Sequence, residues 1–153
     1  MKSIQVFCLA SVVLWGCVGL SGCSWGPAYQ KVKGTVTFDG EPLYKAFVSF
    51  IPVETSQGTL FATGMTDENG FFTLTASEGG QATPGKGTTA GDYYVTIRRN
   101  KDKPSRYVDS LDGPVLVFDP LIPRKYSNQN TSDLKVVVEK KRVNEFTFEL
   151  KSK

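Results

Sequence analysis

The stretch VKGTVTFDGEPL (Val32–Leu43) decides the fold class of this chain. Its first seven residues alternate apolar or small side chains with polar ones, which is the pattern of a strand with one buried face. Asp39 and Gly40 then provide a turn, and Pro42 presets the backbone that leaves it. The stretch therefore predicts a half-buried strand followed by a tight turn.

On both sides of this turn the chain repeats short runs of β-branched and aromatic residues, separated by Gly, Pro, Asn and Asp. Further strands are predicted at 46–51, 60–66, 71–75, 92–99, 134–138 and 145–150. Residues 67–70 predict a tight hairpin between the strands at 60–66 and 71–75, and 79–91 predicts a loop. Residues 100–120 predict an insertion loop with room for one extra edge strand. We therefore expect an all-β fold, a Greek-key β-sandwich of about seven strands.

The composition excludes several classes of function. The 153 residues include 18 Lys and Arg, 15 Asp and Glu, and no histidine. Without histidine there is no Ser-His-Asp or Cys-His nucleophile and no Cys/His zinc site. The formal charge of +3 is dispersed along the chain, which argues against a nucleic-acid partner. We predict one domain with no metal site, no cofactor and no enzymatic activity.

The N-terminal segment has the pattern of a secretory signal peptide. Lys2 precedes an almost uncharged stretch at 4–20, which small residues follow. A retained transmembrane anchor is the alternative, although the stretch is at the short limit for a membrane span. The sequence Leu20-Ser21-Gly22-Cys23 resembles the lipobox of bacterial lipoproteins, which implies a diacylglycerol on the thiol of Cys23 and cleavage before it. Leu14-Trp15-Gly16-Cys17 is a poorer candidate, because Trp15 is bulky where a small residue is expected.

The cysteines agree with this interpretation. Cys8 and Cys17 lie in the segment that would be removed, residues 1–22, and removing 22 of the 153 residues leaves 131 with Cys23 as the single thiol. Acylation would explain that lone cysteine and make the membrane a partner through palmitate-type chains. We expect residues 23–30 to form a lipidated tether. Ser24, by family analogy, favours the outer membrane or the cell surface.

Four motifs in this order resemble those of carboxypeptidase regulatory-like domains, which share a transthyretin-like (prealbumin-like) sandwich. They are VKGTVTFDGEPL at Val32–Leu43, AFVSF at Ala46–Phe50, TDENGFF at Thr66–Phe72 and GDYYVTI at Gly91–Ile97. The C-terminal part, from Ile122 to Leu150, is similar to a group of small bacterial lipoproteins built from one such domain. The resemblance implies that residues 31–151 form a non-catalytic module.

The resemblance implies that the matched residues have structural roles. Gly40 and Gly70 suit turns that need positive φ, and Gly91 is expected to allow close packing at the start of a strand. Tyr93 is expected to fill the core, with its hydroxyl bonded at the rim. The full set of scaffold residues is Gly34, Gly40, Pro42, Asp67, Gly70, Gly91 and Tyr93.

Two further kinds of site are weighed and disfavoured. Asp67 opens a calcium-loop pattern with Glu78 at its twelfth position, but the apolar residues between them favour a strand. An isopeptide bond would join Lys31 or Lys33 to Asn144 beside a carboxylate such as Glu145. Lys33 lies on the polar face of its strand, which argues against such a buried bond.

We predict a structural or binding module of the cell envelope, whose partner is an envelope protein or a glycan. One alternative is a carbohydrate- or protein-binding adhesin, in which Tyr94, Tyr107 and Phe118 would line a groove. A transthyretin-like hydrolase is less favoured, because the histidines and the C-terminal Tyr-Arg-Gly-Ser sequence of that family are absent.

One candidate contact patch remains, near the C-terminal third of the chain. It consists of Arg124, Lys125 and Tyr126, a small basic and aromatic group. The alternative is a loop that clamps onto the sandwich through Ile122, Pro123 and Tyr126.

Overall fold

The structure, a computed structural model, describes residues 28–54, 59–141 and 143–153. The predicted signal peptide, Cys23 and most of the predicted tether lie outside the described residues. Within these ranges the chain forms thirteen strands and one short 3-10 helix. The elements are β1 (Tyr29–Phe38), β2 (Glu41–Pro42), β3 (Phe47–Pro52), β4 (Ala62–Met65), β5 (Phe71–Thr73), β6 (Thr75–Glu78), β7 (Gln81–Thr83), β8 (Thr88–Thr89), β9 (Gly91–Arg98), β10 (Arg106–Ser110), β11 (Gly113–Val117), η1 (Arg124–Ser127), β12 (Lys135–Val138) and β13 (Val143–Leu150).

Strand β1 is the centre of the first sheet. On one side it pairs in parallel with β13, so that Val36 lies opposite Phe148. On its other side three short antiparallel strands follow one another along its length: β8 near its start, β5 at its middle and β2 at its end. The alternation read from the sequence at 32–38 therefore corresponds to a real strand, which begins at Tyr29, two residues before the predicted domain boundary.

The second sheet has the strand order β12-β9-β3-β4-β6-β7, and all of its neighbouring strands are antiparallel. Strands β9 and β3 lie at its centre, with Thr96 opposite Ser49 and Arg98 opposite Phe47. Because successive residues of a strand point to opposite faces, Tyr93, Val95 and Ile97 are directed to one side, and all three are fully buried.

The hydrophobic core lies between the two sheets. Phe50 occupies its middle, with its ring centroid 5.9 Å from that of Tyr93 and 5.8 Å from that of Phe146. Gly34 of β1 allows the first sheet to pack closely. A Cβ at that position would lie 2.2 Å from the carbonyl oxygen of Phe146 and 2.9 Å from the ring of Phe72. The predicted all-β sandwich is confirmed.

The number of strand segments exceeds the seven predicted, because some predicted strands are divided and two predicted loops contain strands. Residues 71–78 pass from one sheet to the other at Leu74, since β5 pairs with β1 whereas β6 pairs with β4. The predicted hairpin of 60–66 with 71–75 is therefore present only in part, because the turn at 67–70 forms and Thr63 pairs with Thr75, whereas Phe71–Thr73 pairs with β1.

Both predicted loops are also more regular than expected. Residues 79–91 contain β7 and β8. Residues 100–120 contain a hairpin, β10 and β11, which forms a two-stranded sheet of its own instead of one extra edge strand. The polar and apolar residues in this hairpin do not separate into a buried and an exposed face, so the sequence pattern indicated at most one edge strand.

Candidate functional site

The turn glycines have the backbone conformations that their positions require. Gly40 has φ +93° and follows Asp39, which has φ +50°, while Pro42 lies in β2. Gly70 has φ +73°, and a Cβ there would lie 2.4 Å from the carbonyl oxygen of Val36. A side chain would be disfavoured at Gly70 by both its φ and its surroundings.

Asp67 stabilises the turn that contains Gly70. Its Oδ1 accepts hydrogen bonds from the backbone N–H groups of Asn69 and Phe71, each at 2.9 Å. The remaining residues of the calcium-loop pattern belong to β5 and β6, which supports the hairpin-turn interpretation. Within the described parts of the chain, no three Asp, Glu, Cys or His side chains are placed to hold a metal ion.

Tyr93 is fully buried between the sheets. Its hydroxyl lies 3.1 Å from Oγ1 of Thr88 and 3.0 Å from Oγ1 of Thr89, and it donates to the carbonyl oxygen of Thr89. Gly91, two residues earlier, has φ +151°. A Cβ at Gly91 would meet no atom closer than 3.6 Å, so its backbone conformation accounts for the glycine, and the close packing expected there is not found.

The predicted contact patch at Arg124, Lys125 and Tyr126 lies in η1. Tyr126 is buried, and its hydroxyl accepts a hydrogen bond from the backbone N–H of Lys151 at 3.1 Å. Ile122 is also buried, so this loop clamps onto the end of the sandwich. Arg124 and Lys125 are exposed, and a contact role for them stays a prediction.

Lys33 and Asn144, two residues of the disfavoured isopeptide bond, have other partners. Lys33 Nζ lies 3.2 Å from the carboxylate of Glu145. The side chain of Asn144 is buried and bonds through both its oxygen and its nitrogen to the backbone of Glu139, each at 3.0 Å. The hydrogen bonds of Asn144 connect β13 to the turn before it, and the ion pair of Lys33 with Glu145 joins β1 to β13.

Three neighbouring grooves lie on the outer side of the second sheet, with volumes of about 290, 400 and 400 Å³, and Arg98 lines all of them. We call this surface the arginine face. The grooves are lined by Lys45, Phe47, Ser49, Ile51, Phe61, Met65, Thr96, Arg98, Arg99, Asn100, Phe118, Pro120, Ile122, Arg124, Ser127, Asn128, Gln129 and Asn130. The set contains four cationic side chains and no carboxylate, so the face attracts anions.

The two adjacent arginines of this face differ in their partners. Arg99 donates from Nε to the carbonyl oxygen of Tyr44 at 2.7 Å and from Nη2 to Oδ1 of Asp102 at 2.9 Å. This hydrogen bond holds the pKa of the Asp102 carboxyl below its ordinary value. Arg99 thus has a structural role. Arg98 is exposed, and its guanidinium lies over the ring of Phe47, 5.4 Å from the centroid.

Arg98 and Arg124 are therefore free to bind an anion. Among residues 28–54, 59–141 and 143–153, neither forms an ion pair. The amide side chains of Gln129 and Asn130 line one groove with Arg98 and are exposed. Guanidinium groups bind carboxylates through two parallel hydrogen bonds, and amides both donate to and accept from hydroxyl groups.

The sequence prediction named Arg124 and Phe118 of this face but not Arg98 or the neighbouring amides. Arg98 appeared there only as the last outward residue of an alternating strand, and the amides at 128–130 carried no signal of their own. Of the three aromatic residues predicted for an adhesin groove, Phe118 lines one of the grooves. Tyr94 lies on the outer side of β9 with the Nζ of Lys135 over its ring, and Tyr107 lies on the β10–β11 hairpin.

A larger cavity, of about 470 Å³, lies beside β1, where Thr73, Gly85 and Gly87 contribute to its wall. Lys31 and Lys33 also line it. Since Lys33 is already paired with Glu145, this cavity offers fewer free polar groups than the arginine face.

No protein family matches the chain, and no curated protein matches it. Among solved structures, the crystal structure of a 9R-lipoxygenase from Cyanothece PCC8801 is similar over 80% of this chain and 16% of the lipoxygenase chain, with 15% identity and a TM-score of 0.41. In the described ranges, no helix is long and apolar enough to cross a membrane. At this level of similarity the likeness assigns neither a family nor an activity.

Proposed function

We propose that this protein is a non-catalytic, lipid-anchored binding module of the cell envelope. The lipobox-like sequence before Cys23 supports the anchor. Strand β1 begins at Tyr29, six residues after Cys23. An extended tether of that length spans at most about 20 Å, so an acylated Cys23 would keep the sandwich at the membrane surface.

The orientation of the strands supports the binding role. The start of β1 lies at the same end of the sandwich as the start of β13, because these two strands are parallel. The start of β9 also lies at that end, since Gly91 is opposite Val138, which precedes the short turn into β13. Arg98 terminates β9 and therefore lies at the opposite end. In a chain anchored at Cys23, Arg98 would therefore lie far from the membrane, and the placement of Arg98 at the end opposite the start of β1 is the observation that carries the proposal.

The anchor is tested by labelling cells that express the full chain with a palmitate analogue and fractionating their membranes. We expect the unmodified chain to carry label and to sediment with the membranes. The Cys23→Ser variant should lose the label and accumulate as the unprocessed precursor. Cys17→Ser is the matched control, because Cys17 lies in the predicted signal peptide, and it should keep the label. Label on Cys23→Ser equal to that on the unmodified chain would overturn the proposal.

A further inference from the structure

We propose that the arginine face binds an acidic polysaccharide, a glycan whose sugar rings carry carboxylates, and that Arg98 and Arg124 bind those carboxylates. The inference names the ligand class for the binding role proposed above and rests on that role. It does not depend on the lipid anchor, because the grooves are formed entirely by the folded domain.

The charges of the face favour an anionic ligand. Arg98 and Arg124 line the grooves and have no carboxylate partner among the described residues, whereas Lys45 is close enough to Asp102 to help hold the pKa of that carboxyl down. Arg99, in contrast, is neutralised by Asp102 at 2.9 Å. A carboxylated ligand would therefore find free guanidinium groups without displacing an existing ion pair. Arginine suits this task because its planar guanidinium matches the two oxygens of a carboxylate.

The remaining groups of the face suit the uncharged parts of a sugar. Gln129 and Asn130 present exposed amides beside Arg98, and Ser127 lines two of the three grooves with it. These groups can donate to and accept from neighbouring hydroxyls. Phe61, which is 41% exposed, borders the same groove and offers an apolar surface for the C–H groups of a sugar ring.

The position of the grooves argues against an extended acidic peptide. Peptides commonly bind a sheet by pairing with the free backbone of an edge strand. Strand β3 is paired with β9 on one side and β4 on the other, and β9 is paired with β3 along Tyr93–Arg98 and with β12 along Gly91–Tyr94, so most of the backbone beneath the grooves is already hydrogen-bonded. Recognition on this face must rely on side chains, and these side chains combine guanidinium, amide and aromatic groups.

The inference is tested by calorimetric titration of the full chain, purified from membranes in a non-ionic detergent, with trigalacturonate. The neutral trisaccharide maltotriose, hexaglutamate and inorganic phosphate serve as comparison ligands. We expect trigalacturonate to bind with an affinity that falls as salt is added, and the other three to bind at least about tenfold more weakly.

Arg98→Gln combined with Arg124→Gln should weaken trigalacturonate binding by about a hundredfold, because each charge-assisted hydrogen bond accounts for about tenfold in affinity. The matched control is Lys31→Gln combined with Lys140→Gln, which removes the same charge from exposed positions at the opposite end of the sandwich. This control should change the affinity by less than about twofold. Circular dichroism of each variant verifies that it is folded.

Three results would overturn the inference. The first is no heat of binding with trigalacturonate at millimolar concentration, and the second is equal loss of affinity in the arginine variant and the lysine control. The third is hexaglutamate or phosphate binding as tightly as trigalacturonate, which would indicate an acidic-peptide or simple-anion site. Because palmitate labelling measures the anchor separately, a lost anchor and an absent ligand site are distinguished.

Discussion

The sandwich and the hairpin of β10 and β11 are both made of strands, yet they differ in what their side chains contact. In the sandwich, alternate residues such as Val48 and Val95 are fully buried between two sheets. In the hairpin, which we call the arm (residues 100–120), every residue of β10 is exposed and Leu111 at the tip is 106% exposed. Alternation of apolar and polar residues therefore predicts a strand only where a second sheet covers one face of that strand.

Two backbone hydrogen bonds close the base of the arm, where it joins the sandwich. Lys101 N–H donates to the carbonyl oxygen of Asp119 at 2.9 Å, and Leu121 N–H donates to that of Arg99 at 2.7 Å. A two-stranded hairpin is at best marginally stable without a second layer. The free energy of folding therefore comes from the sandwich, and matched substitutions in the two regions should differ in effect.

The largest expected effect is that of Gly34→Ala. The added methyl would meet the carbonyl oxygen of Phe146 in the first sheet, so backbone must move, and we expect the free energy of unfolding to fall by about 3 kcal/mol. The matched control in the arm is Gly113→Ala, where no atom lies within 4 Å and only the φ of +111° opposes the side chain, at a cost of about 1 kcal/mol. Urea unfolding followed by circular dichroism measures both. Equal losses would contradict the comparison.

The next effect is that of Tyr93→Phe, which removes the buried hydroxyl bonded to Thr88 and Thr89. We expect a loss of about 1 kcal/mol in the free energy of unfolding. Tyr107→Phe removes the same group from the arm, where the side chain is 71% exposed, and should leave stability unchanged. The same urea titration measures both variants. A loss of stability seen only with Tyr107→Phe would contradict the expectation that the sandwich, and not the arm, provides the free energy of folding.

Leu111→Ala should change the free energy of unfolding by less than about 0.5 kcal/mol, because the side chain at the tip of the arm contacts solvent. Leu74→Ala is its counterpart at the passage between the sheets, where the leucine is 2% exposed, and should cost about 3 kcal/mol. Thermal unfolding compares the two variants. A marked loss with Leu111→Ala would show that the arm packs against a surface.

The smallest effect concerns Tyr29 at the start of β1. Its hydroxyl donates to Oε2 of Glu78 at 2.5 Å, and this hydrogen bond, with burial and the charge of Glu78, raises the pKa of Tyr29 above 10.0. Since the folded state favours the neutral phenol, its contribution to stability is present below pH 10 and is lost as the pH rises through the raised pKa. The pKa of Tyr29 is measured by comparing ultraviolet pH titrations of the unmodified chain and of Tyr29→Phe. A pKa below that of free tyrosine would contradict the expected upward shift.

The sequence predicted the parts of the fold that depend on local pattern. Alternation gave β1 and β9, and the positive φ of Gly40 and Gly70 was predicted from their turns. The crossing at Leu74 was not predictable, because no residue in 71–78 marks a change of sheet. The sequence marked Arg124 and Phe118 of the arginine face but not Arg98, for a similar reason. Whether an arginine is free depends on where carboxylates lie in space, and Arg98 and Arg99 look alike in the sequence.

The central claim is that this module binds its ligand on the arginine face. Its most direct test is a nuclear magnetic resonance titration of the isotopically labelled full chain in detergent with trigalacturonate. We expect the largest shifts at the guanidinium of Arg98 and the amides of residues 128–130, with saturation, and none at the arm tip around Leu111. Shifts confined to the arm, or no shift at all, would contradict the claim.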